Sequence, residues 1–265
     1  MPCQKVTLCM HNQVKEYSFQ NNLGFFQENG FEIITVRGEL PNLEDILSGI
    51  QSEELKITMD CTSMPQHWYY EIFSWFAEDN RLTSAHLRLV YTMAAYVEEG
   101  SALKVRKVRE FLKVKTNIRG RKRALILGLG QETGVSESIC RIVKPDLLYL
   151  FYADPPVEKQ FVEKVFVNNH PVINDISIRN LISYPVFNGQ IIYQTLTDVI
   201  LPLRNEYSIT IIPQGPKIFS VASMLLQMGY PDMVLSYPVL KKAPLKDRMP
   251  SGDPVILDIL FELEE

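Results

Sequence analysis

Short apolar runs alternate along the chain with segments whose apolar residues recur at helical spacing. In the first hundred residues this pattern predicts strands over 31–36, 55–60 and 86–92, with helices following Pro41 and Pro65. Residues 5–10 and 14–19 are open to two interpretations, a hairpin or an arm. The order of elements is that of strand-helix-strand units.

The same alternation resumes after residue 123. Its predicted strands cover residues 123–127, 147–152, 181–186, 208–212 and 233–237, and its predicted helices cover residues 134–142, 158–168, 191–204 and 216–228. The run at 147–152 is almost wholly apolar, as a strand buried on both faces of a parallel sheet requires. Residues 255–263 instead alternate, which predicts an antiparallel edge strand.

These elements predict an α/β protein made of two Rossmann-like parallel-sheet units with helices on both faces. The first unit is assigned to residues 1–100 and the second to residues 124–265, with a basic connector over 101–123 between them. A length of 265 residues with 46% hydrophobic residues suffices for such cores. Whether the two halves share one sheet is left open.

Charge is concentrated in the connector. Residues 104–123 hold ten basic residues and one acidic residue, although the whole chain carries a net charge of −4. We interpret this segment either as a solvated connector or as a contact for nucleic acid or a protein partner. The contact residues in the second interpretation are Arg119, Arg121, Lys122 and Arg123.

The sequence gives little indication of a metal site or of a membrane-spanning segment. The four cysteines form no C-x-x-C pair, the four histidines lack metal-ligand spacing, and no apolar run is long enough for a membrane span. The first twelve residues do not have the pattern of a signal peptide, so we expect a cytoplasmic protein. We predict no metal site and no catalytic residue.

A first candidate site follows the strand predicted at 123–127. The sequence from Gly128 to Gly134 is GxGxxxG, and Asp154 ends the next predicted strand, where a dinucleotide-binding fold places its ribose-binding acid. Gly130, Gln131 and Glu132 complete this candidate. NAD or NADP is one alternative, another phosphorylated ligand is a second, and glycines that serve only the turn are a third. The negative charge of Glu132 would repel a pyrophosphate bound in this turn.

Two further turns have chemistry suited to a site. Gln214, Gly215, Lys217 and Ser220 lie where a strand passes into a helix, with a glycine for close backbone approach and a cation at the helix start. Asp60, Thr62 and Ser63 lie in the corresponding turn of the first half, where the hydroxyls also fit a helix cap. In both turns a purely structural role is the alternative.

The segment from Ile211 to Leu226 resembles the late strand-to-helix segment of CRISPR-associated Rossmann-fold (CARF) sensor domains. There a turn of the Thr-Gly-Gly-Thr-Lys type contacts a cyclic oligonucleotide; Gly215 and Lys217 match it, whereas Gln214 and Pro216 depart from it. The strand that ends at Gly128-Leu129-Gly130 is similar to the first ligand-facing loop of that family. The resemblance implies Gly130, Gln131, Gly215 and Lys217 as ligand positions.

The sequence thus predicts a non-catalytic nucleotide-sensing or accessory protein of prokaryotic antiviral defence. It would bind an anionic, nucleotide-type small molecule at the carboxyl ends of the strands, without a resident cofactor. One alternative is a ligand-free structural subunit of a larger defence complex with protein or nucleic acid. Another is a nicotinamide-dependent oxidoreductase. A homodimer is compatible with each.

Overall fold

The computed structural model describes residues 4–10, 19–37, 39–47, 54–78, 82–97, 103–111, 120–240 and 249–262. The chain divides into two compact units, Met1–Glu53 and Glu54–Glu265. In the smaller unit, strands β1 (Val6–Met10) and β2 (Glu32–Val36) pair in parallel, with helix α1 (Phe19–Glu28) between them and α2 (Leu43–Leu47) after them. The hairpin or arm predicted for residues 5–10 and 14–19 falls partly outside the described residues, and β1 itself pairs with β2 in parallel.

The larger unit contains a six-stranded, mostly parallel sheet. Its strands are β5 (Val105–Glu110), β6 (Lys122–Gly128), β7 (Leu147–Ala153), β8 (Leu181–Tyr184), β9 (Tyr207–Ile212) and β10 (Val234–Leu240). The spatial order is β5-β10-β9-β6-β7-β8, and β5 alone runs antiparallel to its neighbour. The sheet is covered by helices α4 (Val135–Val143), α5 (Lys159–Ile173), α6 (Gly189–Ile200) and α7 (Lys217–Gly229).

Helices cover both faces of this sheet, as the apolar strands require. Leu125 and Leu127 belong to one core cluster with residues of α4 and α5. On the adjacent strand, the ring of Phe151 lies 5.5 Å from the ring of Phe219 in α7, while its neighbour Leu150 packs into the α4 and α5 cluster. Successive strand residues therefore enter opposite hydrophobic layers, and the run is apolar throughout for this reason.

The order of strands reverses at β6. The chain runs from β6 outward to β7 and β8, and then returns to place β9 and β10 on the other side of β6. In open parallel sheets such a reversal leaves a crevice at the carboxyl ends of the two central strands, where ligands bind. We call the region after Gly128 of β6 and Ile212 of β9, where this reversal lies, the crevice.

A second sheet of the larger unit contains β3 (Glu54–Asp60), β4 (Ser84–Tyr91) and β11 (Val255–Glu262). β3 and β4 are parallel, whereas β11 pairs with β4 in antiparallel fashion along the edge. Helix α3 (Gln66–Glu78) packs against both β11 and α7. Its aromatic residues are core: the Phe76 and Phe261 rings lie 5.7 Å apart, and Trp68, Tyr69 and Phe73 are buried.

The predicted fold class is confirmed: the chain is a Rossmann-like α/β protein with parallel-dominated sheets and an antiparallel C-terminal edge strand. That edge strand joins β4, a strand of the half that the sequence assigns to the first unit. Part of the predicted connector is strand β5 in the sheet. The predicted boundaries at residues 100 and 123 stay predictions, and the compact units divide between Glu53 and Glu54.

Candidate functional site

Two of the three predicted turns meet at the crevice. We call residues 128–134 the first glycine turn and residues 213–217 the α7 turn. A Cβ on Gly128 would lie 2.5 Å from the Gln214 carbonyl oxygen, and one on Gly215 would lie 2.6 Å from the Leu129 carbonyl oxygen. Gly215 also has a φ of +87°, which side chains rarely adopt. Both glycines are thus required for the backbones to touch.

The back of the first glycine turn is fixed by two asparagines of α5. The buried Asn169 amide donates to the Gly130 carbonyl at 2.9 Å and to the Val165 carbonyl at 2.7 Å, and accepts from the Ser136 hydroxyl at 2.5 Å. Asn168 donates to the Gln131 carbonyl. Sequence reasoning missed this pair; its signal is two successive amides that follow the apolar run Val165-Phe166-Val167 of α5.

Glu132 folds back over the first glycine turn. Its carboxylate oxygen would collide with a Cβ on Gly130, and the backbone nitrogen of Gly215 lies 3.5 Å from that Cβ position. The side chain is partly buried. The crevice therefore contains a carboxylate supplied by the chain itself, at the place where the sequence anticipates a conflict with pyrophosphate.

Lys217 joins the α7 turn to residues 60–65, which we call the 60–65 turn. Its Nζ donates to the Cys61 carbonyl at 2.7 Å and to the Met64 carbonyl at 2.6 Å. Burial lowers the pKa of Lys217 to about 8, and the neighbouring Cys61 and Asp60 oppose this shift only in part. Lys217 is thus an internal cation that holds a loop, rather than a point charge directed at solvent.

Ser220 reinforces the same junction. The Gln66 amide, at the start of α3, donates to the Ser220 hydroxyl at 2.8 Å and to the Pro213 carbonyl at 3.3 Å. Ser220 is fully buried on α7. All three predicted turns are consequently brought together, although they are separated by up to about 150 residues in sequence.

The polar residues of the 60–65 turn stabilise the turn itself. The Asp60 carboxylate accepts from the Thr62 backbone N–H at 2.8 Å. The Thr62 hydroxyl accepts from the backbone N–H of Thr92 at 2.9 Å, so it ties this turn to the end of β4 instead of capping α3. Ser63 is exposed.

A tyrosine that the sequence analysis does not single out lies beneath the α7 turn. The Tyr184 ring stacks on Phe219 with 4.9 Å between centroids, and its hydroxyl lies 3.8 Å from the Cβ position of Gly215. The hydroxyl is buried and has no hydrogen-bond partner within the described ranges. Burial raises the pKa of Tyr184, so the phenol remains a proton donor.

The remaining predicted residues lie outside the crevice. Asp154 is exposed after β7, the strand next to β6, and its backbone N–H donates to the Tyr184 carbonyl at 2.8 Å. Arg121, Lys122 and Arg123 lie at the amino end of β6, which is the opposite end of the sheet. There the Arg121 guanidinium donates to the Arg204 carbonyl at 2.9 Å. Arg119 lies outside the described residues.

Other sites are not evident in the described part of the chain. Its His, Cys, Asp and Glu side chains form no group of three that would hold a metal ion, and none of its helices has the length and apolarity to cross a bilayer. Surface depressions beside Ser84, His86 and Leu260 lie at the amino ends of β3 and β4, away from the three turns.

Neither the known family models nor the curated proteins include a match to this chain. A function for this protein must therefore be inferred from its fold and its crevice.

Proposed function

We propose that this protein binds an anionic, nucleotide-type ligand in the crevice between β6 and β9 and acts as a non-catalytic sensor. The observation that carries the proposal is the strand order, which reverses at β6 and sets two glycine turns against each other there. Open α/β sheets bind nucleotides at such a reversal.

The chemistry of the crevice suits an anion. Gly215 is exposed two residues before α7, a helix of 13 residues whose amino end carries a partial positive charge. Gly130, opposite it, leaves room for a phosphate to approach the backbone. Lys217 adds a cation that a ligand phosphate would attract from the Cys61 and Met64 carbonyls.

The resemblance to CARF domains rests on these same two turns and extends the proposal to its context. The ligand would be a signalling nucleotide, such as a cyclic oligonucleotide, in the cytoplasm of a prokaryote under viral attack. Movement of the 60–65 turn, which Lys217 now holds, would report that the ligand is bound. A protein partner of a defence complex would receive this signal.

A second function is favoured by the way in which the crevice is filled. Glu132 and Lys217 each contact other parts of the chain, and Gln66 seals the junction by its bonds to Ser220 and Pro213. A structural subunit with no small-molecule ligand needs such internal contacts and nothing more. Its partner contacts would then lie at the exposed basic residues Arg121, Lys122 and Arg123.

Isothermal titration with cyclic oligonucleotides, mononucleotides and NAD separates these functions. Gly130→Ala places a methyl group where the Glu132 carboxylate lies, a collision that only the end of a flexible side chain must avoid. The sensor hypothesis expects a nucleotide to bind the unmodified protein and not this variant. The matched control, Arg121→Glu with Arg123→Glu, should keep binding.

The opposite pattern would contradict the sensor hypothesis. If no nucleotide binds, and the charge reversals release a nucleic acid or protein that otherwise copurifies, the structural-subunit hypothesis stands instead. Binding of NAD alone would favour the oxidoreductase alternative and direct attention to Asp154.

A further inference from the structure

The position of the Glu132 carboxylate has the features of an anion site. It lies against Gly130, and the Gly215 backbone nitrogen lies 3.5 Å from the Cβ position of the same Gly130. A carboxylate that occupies a glycine turn beside a helix start takes the place that a phosphate oxygen takes in nucleotide-binding turns. The chain therefore supplies its own anion there.

The backbone around Glu132 is oriented by α5. The carbonyls of Gly130 and Gln131 accept hydrogen bonds from Asn169 and Asn168. In a trans peptide the N–H points opposite to the C=O of the same unit, so the N–H groups of Gln131 and Glu132 point away from α5. The asparagines thus keep two successive backbone N–H groups on the side of the first glycine turn that faces away from α5.

Tyr184 gives an independent indication of a ligand. The Tyr184 residue is 1% exposed. Its hydroxyl lies 3.8 Å from the Cβ position of Gly215 and has no hydrogen-bond partner among the described side chains and backbone. A buried hydroxyl without a hydrogen bond costs free energy, and native proteins rarely retain one without a role. A phenol donor this close to the α7 turn is suited to an anionic oxygen.

We propose that the position held by the Glu132 carboxylate is a binding site for an anionic oxygen group, a phosphate or a carboxylate, and that Glu132 is its intramolecular competitor. The external anion displaces the Glu132 side chain and takes up the donors around Gly130 and Gly215. Tyr184 donates to the same anion once the α7 turn shifts at Gly215. This inference rests on the proposed function. It adds that the Glu132 side chain closes the site in the ligand-free protein.

The test compares Glu132→Ala and Glu132→Gln with the unmodified protein, using inorganic pyrophosphate and citrate as probes. Isothermal titration gives the affinity, and thermal unfolding reports stabilisation by the bound anion. We expect affinity to increase about tenfold in Glu132→Ala, because the competing state is removed, and less in Glu132→Gln, which keeps the volume. Pyrophosphate would indicate a phosphate ligand, and citrate a carboxylate ligand.

Glu137→Ala is the matched control. Glu137 carries the same charge, lies five residues further along on α4, and pairs with Arg141 on the exposed surface. Its loss changes the net charge by the same amount and should leave anion affinity within about twofold. An equal gain in both variants would overturn the proposal, because the effect would then be general electrostatics.

Tyr184→Phe tests the site without touching Glu132. Combined with Glu132→Ala, it should remove most of the gain in anion affinity while the variant stays folded, since no hydrogen bond is lost in the free protein. Unchanged anion affinity in Glu132→Ala would overturn the proposal even if nucleotides bind the unmodified protein. Pyrophosphate binding to Glu132→Ala without any nucleotide binding would keep the anion site and contradict the proposed nucleotide sensor.

Discussion

At the amino end of β6 the cationic side chains of Lys122 and Arg123 are exposed, whereas at the carboxyl end the charged side chains of Glu132 and Lys217 are partly buried. There Lys217 donates to the Cys61 and Met64 carbonyls, and the Glu132 carboxylate lies against Gly130. The amino end carries the highest density of charge in the sequence. The carboxyl end carries single charged groups with defined internal partners.

The comparison distinguishes charged side chains that only keep a surface hydrated from charged side chains that belong to a site. Exposed cations interact with solvent and salt, and their removal changes little. A partly buried cation or a buried hydroxyl has lost water and depends on its protein contacts. Substitutions at the two ends of one sheet should therefore differ in their consequences, and the following experiments test that contrast.

The largest effect is expected at Lys217. Lys217→Met keeps the length of the side chain but removes two hydrogen bonds and leaves the Met64 carbonyl without its Lys217 donor, whereas the Cys61 carbonyl keeps the Met64 N–H. The free energy of unfolding should therefore fall by about 2 kcal/mol. Lys122→Met at the amino end is the matched control and should stay within about 0.5 kcal/mol. Urea denaturation measures both. Equal losses in the two variants would contradict the contrast.

The pH dependence of stability should also depend on Lys217. Its pKa is about 8 in the folded protein and higher in the unfolded chain, so the folded protein loses its proton first as pH rises. Stability from this group therefore increases above pH 8, by at most about 1.4 kcal/mol per pH unit.

Cys61 acts in the other direction. Burial raises its pKa to about 11, so the folded protein keeps the thiol proton longer and stability falls as the unfolded thiol ionises. Lys217→Met retains Cys61. The free energy of unfolding, measured by urea titration of the unmodified protein and this variant between pH 7 and 10, thus isolates the contribution of Lys217. If the two plots of free energy against pH are parallel, the pKa of Lys217 is not lowered in the folded protein.

Two buried tyrosines should respond differently to loss of the hydroxyl. The Tyr70 hydroxyl donates to the Gln227 amide oxygen at 2.7 Å, so Tyr70→Phe should lower the free energy of unfolding by about 1 kcal/mol. Tyr184→Phe removes a hydroxyl that has no partner in the described structure, so stability should stay constant or increase by up to about 1 kcal/mol. A loss at Tyr184 as large as at Tyr70 would mean that ordered water satisfies this hydroxyl.

The smallest effect is expected at the basic edge. Arg121→Ala removes one exposed hydrogen bond to the Arg204 carbonyl and should change the free energy of unfolding by less than about 0.5 kcal/mol. Nucleotide affinity should be unchanged within about twofold. A tenfold loss of nucleotide affinity in this variant would place the anion contact at the amino end of β6 and contradict a site at the carboxyl end.

The sequence is most informative where the structure depends on local patterns. The apolar run at 147–152 predicts β7 almost to its ends, because a strand buried on both faces has no polar position. The sequence predicts a connector where β5 lies, because the cations of β5 hide its strand pattern and the exposed edge of a sheet tolerates them. The strand that pairs with β11 is also not predictable, because nothing local in residues 255–262 specifies pairing with β4.

The candidate site divides in the same way. The glycines and the cation at the start of α7 are visible in the sequence because turns and helix starts demand particular residue types. The bond from Lys217 to Cys61 spans 156 residues and follows only from the packing of two sheets. Asn169 and Tyr184 belong to ordinary helix and strand patterns, so only the fold reveals what they contact.

The most direct test of a nucleotide site at the carboxyl end is a titration of protein labelled with ¹⁵N at its glycines. Gly130 and Gly215 line the crevice, whereas Gly120 lies beside Arg121 and Gly229 ends α7. We expect a bound nucleotide to shift the amide signals of Gly130 and Gly215 and to leave those of Gly120 and Gly229 in place. A shift at Gly120 with Gly130 and Gly215 unchanged would contradict the account.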